Sequence, residues 1–118
     1  MKIAIAGAVA VAAMAATPAV ALSPPARVQV GATEFNFALS RHVIRSGRAL
    51  IELANYGEDL HDLRLRRIGG TKIWGTRVVR PEETAVLSAK LPPGRYHLWC
   101  SIADHRARGM SAMLVVRR

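Results

Sequence analysis

From Val28 onward the chain changes character every few residues, and that rhythm limits what it can become. Stretches such as "VQVGATEFNFAL", "RALIELAN", "HDLRLRR" and "SAMLVVRR" are rich in β-branched residues or alternate apolar with polar side chains. Between them lie turn residues, with Pro81 interrupting "TRVVRPEETAVLSAKL" and Pro92, Pro93 and Gly94 opening "LPPGRYHLWC". A period of two places alternate side chains on opposite faces of an extended strand, whereas no segment sustains the 3.6-residue stripe of an amphipathic helix. Only "GTKIWGTRV" is ambiguous between a loop and a helical turn. Six to eight short strands in one small domain predict an all-β Greek-key sandwich or barrel.

The opening residues do not belong to that pattern. "MKIAIAGAVAVAAMAATPAVA" has one Lys at position 2, an uncharged run over residues 3–16, then Pro18 and the small triplet Ala19, Val20, Ala21. A basic start, a short apolar middle and an A-x-A site have the order of a secretory signal peptide, too short to span a bilayer comfortably. The sequence therefore predicts a leader at 1–21, cleavage after Ala21, and one domain at 22–118. Export to a periplasm follows, with no stable membrane insertion once the leader is removed.

The 118-residue chain has 17 Lys and Arg against 8 Asp and Glu. Only Lys2 lies in the leader, so the remaining domain keeps a net charge of about +8, which favours acidic partners. Nucleic acid is a poor candidate, because aromatics are few and none sits in a basic stacking motif. The domain is read as a monomer.

A single cysteine, Cys100, forms no internal disulfide. An exported domain must shield such a thiol or use it. In "YHLWC" the alternation puts Tyr96, Leu98 and Cys100 on one face and His97 and Trp99 on the other. Then comes "SIADHRARGM", with His105 five residues after Cys100 and Met110 five after that. Fully extended, residues 100–110 would span about 33 Å, so these side chains meet only in a tightly curled loop. Gly109 permits the torsions such a curl needs, and Asp104 is placed to cap a turn before His105.

Thiolate, imidazole and thioether suit copper, while zinc has little use for Met. A trigonal copper site needs a second imidazole, and His61, at the start of "HDLRLRR", is the candidate. His42 and His97 read as surface or satisfied residues, and Met113 as core beside Leu114.

On these residues the chain resembles the cupredoxins, the plastocyanin, amicyanin and azurin family of small blue copper proteins. "EFNFALSRHVIRSGRALIELANYGEDLHDLRL" is similar to the family's first half, with a strand ending in Asn before the first histidine. "RPEETAVLSAKLPPGRYHLWCSIADHRARGMSAMLVV" is similar to its second half, with the Pro-Gly turn and terminal Cys, His, Met loop. The resemblance implies a cupredoxin-type sandwich with one type 1 copper ion held by His61, Cys100, His105 and, as weak axial ligand, Met110. It implies no enzyme but a one-electron carrier. The alternative is a copper carrier or storage protein without a shuttle role, although Met-rich and His-rich tracts are absent. Two residues depart from the pattern, Asp104 where Gly is usual and Asp62 where Asn is frequent; both would bear on potential or loop rigidity. His105 is the expected point of electron exit, and Arg106 and Arg108 beside it suit a redox partner with an acidic docking face.

A Cys/His hydrolase is the rival of a different class. The pair in one short loop, with no identifiable orienting residue and oxyanion device, disfavours it.

Overall fold

A computed structural model describes residues 1–17 and 23–118. The expected cleavage region, with Pro18 and the A-x-A triplet, lies outside the described residues, and residues 1–17 carry no strand or helix. Among the described residues nine strands follow: β1 (Ala26–Thr33), β2 (Asn36–Leu39), β3 (Val43–Arg45), β4 (Gly47–Asn55), β5 (Arg64–Arg67), β6 (Ile73–Gly75), β7 (Thr84–Leu91), β8 (Gly94–Trp99) and β9 (Ser111–Arg117). They form two mixed sheets, ordered β2-β1-β4-β7 and β3-β9-β8-β5-β6. β1 and β4 run parallel, as do β3 and β9, because the chain passes from one sheet to the other between them. The all-β sandwich expected from the alternation is therefore present. The count is one above the expected range, and two of the strands are three-residue pieces: β3, and β6, which gives part of the ambiguous "GTKIWGTRV" as strand.

The inward positions are those the period of two selects. Val28, Val30 and Ala32 of β1 meet Ala49, Ile51 and Leu53 of β4 across to Leu65, Tyr96, Leu98, Leu114 and Val116 of the second sheet. Each large aliphatic side chain buried this way contributes about 1.5–3 kcal/mol of transfer free energy. Leu63 and Leu65 are buried while Arg66 is exposed, and Tyr96, Leu98 and Cys100 share the inner face, as expected. The Tyr96 hydroxyl satisfies its buried polar end by donating to the Pro92 carbonyl at 2.6 Å.

One reading needs correction. Met113 is not core: Leu114 takes the inward position, and Met113 lies half-buried on the outer face opposite His97. Trp99, also on the outer face, is nonetheless buried, because Arg106 lies 4.7 Å over its ring and His97 stacks on it at 5.4 Å.

The pairing registers determine where the candidate ligands go. Arg64 is opposite Trp99 in the antiparallel β5/β8 pair, so the residues just before Arg64 lie beside those just after Trp99. Continued past the strand ends, that register sets Leu63 opposite Cys100 and brings position 61 within two residues of that point. Trp99 in turn faces Ser111 across β8/β9, so residues 100–110 must leave and re-enter the sheet between adjacent strands, about 5 Å apart.

Candidate metal centre

The loop over residues 100–110 is closed by its own backbone. The Cys100 amide donates to the Met110 carbonyl at 3.1 Å, and the Met110 amide donates to the His105 carbonyl at 3.1 Å. Between them the chain makes successive turns, including the bonds from Arg108 to Asp104 and from Gly109 to Arg106. Gly109 sits at φ +108°, where a side chain would strain the backbone. An added Cβ would meet nothing nearer than the Phe35 carbonyl at 3.7 Å, so the demand for glycine here is torsional rather than steric.

His61 is fixed from the opposite side. Its backbone pairs with Val79 in both directions, at 3.1 and 2.8 Å. The loop leading to it is organised by the buried Asn55, whose side-chain amide donates to the carbonyls of Asp59 and Val79 and whose oxygen accepts from Gly57.

These two segments bring three donor atoms together. The Cys100 sulfur is 3.9 Å from His61 Nδ1 and 3.6 Å from His105 Nδ1, and all three ligating atoms lie within 4.8 Å of one another. Imidazole nitrogen binds a metal at about 2.0 Å and thiolate at about 2.3 Å, so trigonal ligands of these two kinds stand about 3.7 Å apart. Both sulfur–nitrogen separations lie close to that value, so the three donors are placed to share a single ion. Met110 is wholly buried and its backbone bridges Cys100 and His105, which places the fourth expected residue at the same corner. Cys100, His61 and Met110 are 0% exposed and His105 is 5% exposed, so His105 alone of the four reaches the surface. Phe35 and His61 flank its ring, each with centroids 5.0 Å away.

The far nitrogen of each ring faces a carboxylate. His61 Nε2 is 3.2 Å from Glu34 Oε1, and His105 Nε2 is 3.5 Å from Asp59 Oδ2. A proton held at Nε2 leaves the Nδ1 lone pair free toward the sulfur, so the carboxylates select the tautomer a metal requires. Burial pushes the Cys100 thiol above its ordinary range, and the surrounding Asp62 charge adds to the rise. A bound cation reverses that preference and holds the sulfur as thiolate.

Glu34 is the residue the sequence reading missed. The Asp59 and Glu58 amides each donate to Glu34 Oε1 at 2.7 Å. The Asp59 amide does most, aided by the Glu58 amide and His61, to hold the carboxyl down at about 2 against an ordinary 4.5. Its only sequence signal was a lone acid inside a segment otherwise patterned as strand. A folded value below the unfolded one means that Glu34 stabilises the protein above about pH 4.5 and that this contribution is lost as pH falls from about 4.5 toward 2. Metal-free Glu34→Gln is therefore expected to show a shallower acid limb than wild type when urea midpoints are compared across that window. Identical slopes would refute the assignment.

The two departures from the family pattern differ in consequence. Asp62 is 1% exposed and ties the ligand segments together, accepting from the Ser101 amide at 2.7 Å, from the Ser101 hydroxyl and from Arg64 Nε at 3.3 Å. Asp104 instead points to solvent, where the guanidinium of Arg108 at 2.7 Å holds its carboxyl below the usual range.

A scan of protein-family models and a search of curated proteins find no match to this chain. Solved structures do match it. The dithionite-reduced auracyanin of the photosynthetic bacterium Roseiflexus castenholzii aligns at TM-score 0.64 and 16% identity, covering 78% of this chain and 97% of that one. Auracyanin A of Chloroflexus aurantiacus, described as a "blue" copper protein, aligns at TM-score 0.66 and 17% identity over 80% of this chain and all of that one. Auracyanin B aligns at TM-score 0.63 and 16% identity, with 84% and 94% covered. With two mixed sheets in this order and these auracyanins superposing on nearly their full length, the chain has the cupredoxin fold.

Proposed function

We propose that this chain is an exported one-electron carrier in which His61, Cys100, His105 and Met110 hold a single copper ion as a type 1 site. The observation that carries the reading is the buried triangle of His61 Nδ1, Cys100 Sγ and His105 Nδ1, already spaced for one ion. Copper bound there would supply a Cu(I)/Cu(II) couple whose potential depends on the axial ligand and on hydrogen bonding around the sulfur. The protein's part is to keep the donors still. His61 is anchored to Val79 and Glu34, Cys100 to the end of β8, and Met110 to the start of β9, so the donor positions change little between oxidation states. The auracyanin likeness supports the same reading.

Burial favours electron transfer over copper delivery. A cargo ion leaves by exchanging ligands with an acceptor, and three of the four residues have no exposed surface from which to exchange. The same closure leaves the Cys100 sulfur out of reach of a substrate carbonyl. His105 is the route by which an electron leaves, through the edge beside Phe35. The partner is a redox protein with an acidic docking face, and Arg106 is the cation that meets it. Arg108 is engaged by Asp104, whereas Arg106 forms no salt bridge among the described residues. The apolar 1–21 leader and its A-x-A site support export to a periplasm.

The test is to add Cu(II) to metal-free protein. One equivalent is expected to produce an intense visible thiolate-to-copper band that ascorbate bleaches and oxidant restores. A colourless protein, or a colour that does not cycle, would remove the redox reading.

A further inference from the structure

The strand directions gather nearly all the acidic side chains at one end of this molecule, where Arg64, Arg77, Arg106 and Arg108 are interleaved with them, and leave arginines alone at the other. β1, β4 and β8 run toward the candidate metal centre, and β7 and β9 run away from it. Seven of the eight carboxylates, those of Glu34, Glu58, Asp59, Asp62, Glu82, Glu83 and Asp104, lie in the turns and loops at the metal end. The eighth, Glu52, is in mid-strand and is hydrogen-bonded to Gln29 at 2.8 Å. The opposite end has no acid. There the parallel β3/β9 pair sets Arg45 beside Arg117, and Arg27, Arg41 and Arg118 join them around one open cleft of about 590 Å³. All five arginines are exposed, and Val43, 44% exposed, supplies an apolar floor.

Five like charges converge here with no acidic side chain among the lining residues, an arrangement that repels itself unless anions meet it. The cleft holds no aromatic side chain, which disfavours single-stranded nucleic acid, whose bases need stacking partners. Its rim is also formed by Pro24 and Pro25, the residues by which the chain from the apolar N-terminal stretch enters the domain. The arginine cleft thus lies at the edge where the chain enters the domain.

We propose that this arginine cleft is a docking surface for anionic phospholipid headgroups, seating the domain on a negatively charged membrane with the His61, Cys100 and His105 cluster facing away from it. Arginine forks match phosphodiester oxygens two at a time, and several basic residues within a Debye length of an anionic leaflet act together. Val43 meets the boundary between headgroup and acyl chain. The metal end is left free for a protein partner.

The experiment is flotation of the full chain with phosphatidylcholine vesicles, with and without about a third phosphatidylglycerol. The uncharged stretch over residues 3–16 contributes to both, so the ratio of anionic to zwitterionic binding reads the basic groups, Lys2 included, and the two triple variants separate the cleft from the rest. That ratio is expected to exceed about tenfold at low salt and to collapse near 0.5 M NaCl, a concentration of about four Debye-shortening doublings from 30 mM. Arg41→Gln/Arg45→Gln/Arg117→Gln is expected to bring it close to unity. Arg66→Gln/Lys72→Gln/Arg80→Gln, with the same net charge, is expected to leave it largely intact. Equal loss in both triple variants, no preference in wild type, preferential capture by single-stranded DNA, or saturable binding of inorganic phosphate without vesicle binding would each overturn the proposal. If the first variant lacks a cooperative unfolding transition, Arg45→Glu and Arg117→Glu, made singly, carry the same comparison. Vesicle binding is measured with and without copper, so its failure is distinguishable from failure of the copper reading.

Discussion

Cys100→Ser is expected to abolish the visible band and to weaken copper binding by several orders of magnitude, while the metal-free fold survives. The colour belongs to the thiolate, and a serine hydroxyl stays protonated and neutral where the sulfur would be charged. The two imidazoles that remain bind divalent metals, but without the anionic donor the site loses both softness and charge balance. The fold should tolerate the change because Ser nearly matches Cys in shape and its hydroxyl can donate to the Nδ1 of His61 or His105. A residual destabilisation of about 1 kcal/mol is consistent with burying one more polar group that finds a partner. Met110→Leu provides the contrast: it keeps the thiolate, so colour persists and the reduction potential moves. The paired measurements are a Cu(II) titration followed in the visible and a urea unfolding curve without metal. A Cys100→Ser protein that remains blue would end the ligand assignment, and one that fails to fold would show that the sulfur is needed by the core before any ion arrives.

That contrast depends on strand pairings that were only partly legible in the sequence. The period of two identified the inner faces, since Leu63, Leu65, Tyr96, Leu98 and Cys100 all point where alternation puts them. It failed where packing of a different kind intervened. Trp99 is on the solvent side by parity, yet Arg106 and His97 cover it with ring-face contacts that no local pattern records. Met113 lost the core to its neighbour Leu114 because register with His97 fixed its parity. The four candidate ligands could be named from residue chemistry and family resemblance, but not the groups that orient them. Glu34 comes from a turn 27 positions before His61 and reaches it only because β1 and β4 run parallel, which is a property of topology. Asp59 behaves likewise toward His105. Asp104 was expected near the metal from its place in the loop, and instead the i to i+4 pairing with Arg108 turns it outward.

Asp62 offers the sharpest test of how far the scaffold, rather than the ligands, determines the site. Asp62→Ala is expected to cost roughly 2–4 kcal/mol of stability and to lower metal affinity at least about tenfold, although the residue is not one of the four expected ligands. Three hydrogen bonds converge on its carboxylate, two from Ser101 and one from Arg64. Alanine would leave the Ser101 amide without its acceptor directly after Cys100, in the segment that holds the sulfur against both rings. The guanidinium of Arg64 is 41% exposed, so water takes it up and the loss falls short of that for a fully buried ion pair. Asp62→Asn separates geometry from charge. Its carbonyl oxygen still accepts from the Ser101 amide, and its NH2 can donate to the Ser101 hydroxyl, so only the pairing with Arg64 is lost. Stability within about 1 kcal/mol of wild type is expected for Asn, with near-native metal affinity. Urea midpoints of the metal-free proteins and competition titrations with a chelator give both quantities. If alanine matched asparagine in both, the link between the His61 and Cys100 segments would be a by-product of the strand register, and β5/β8 pairing alone would hold the donors in place.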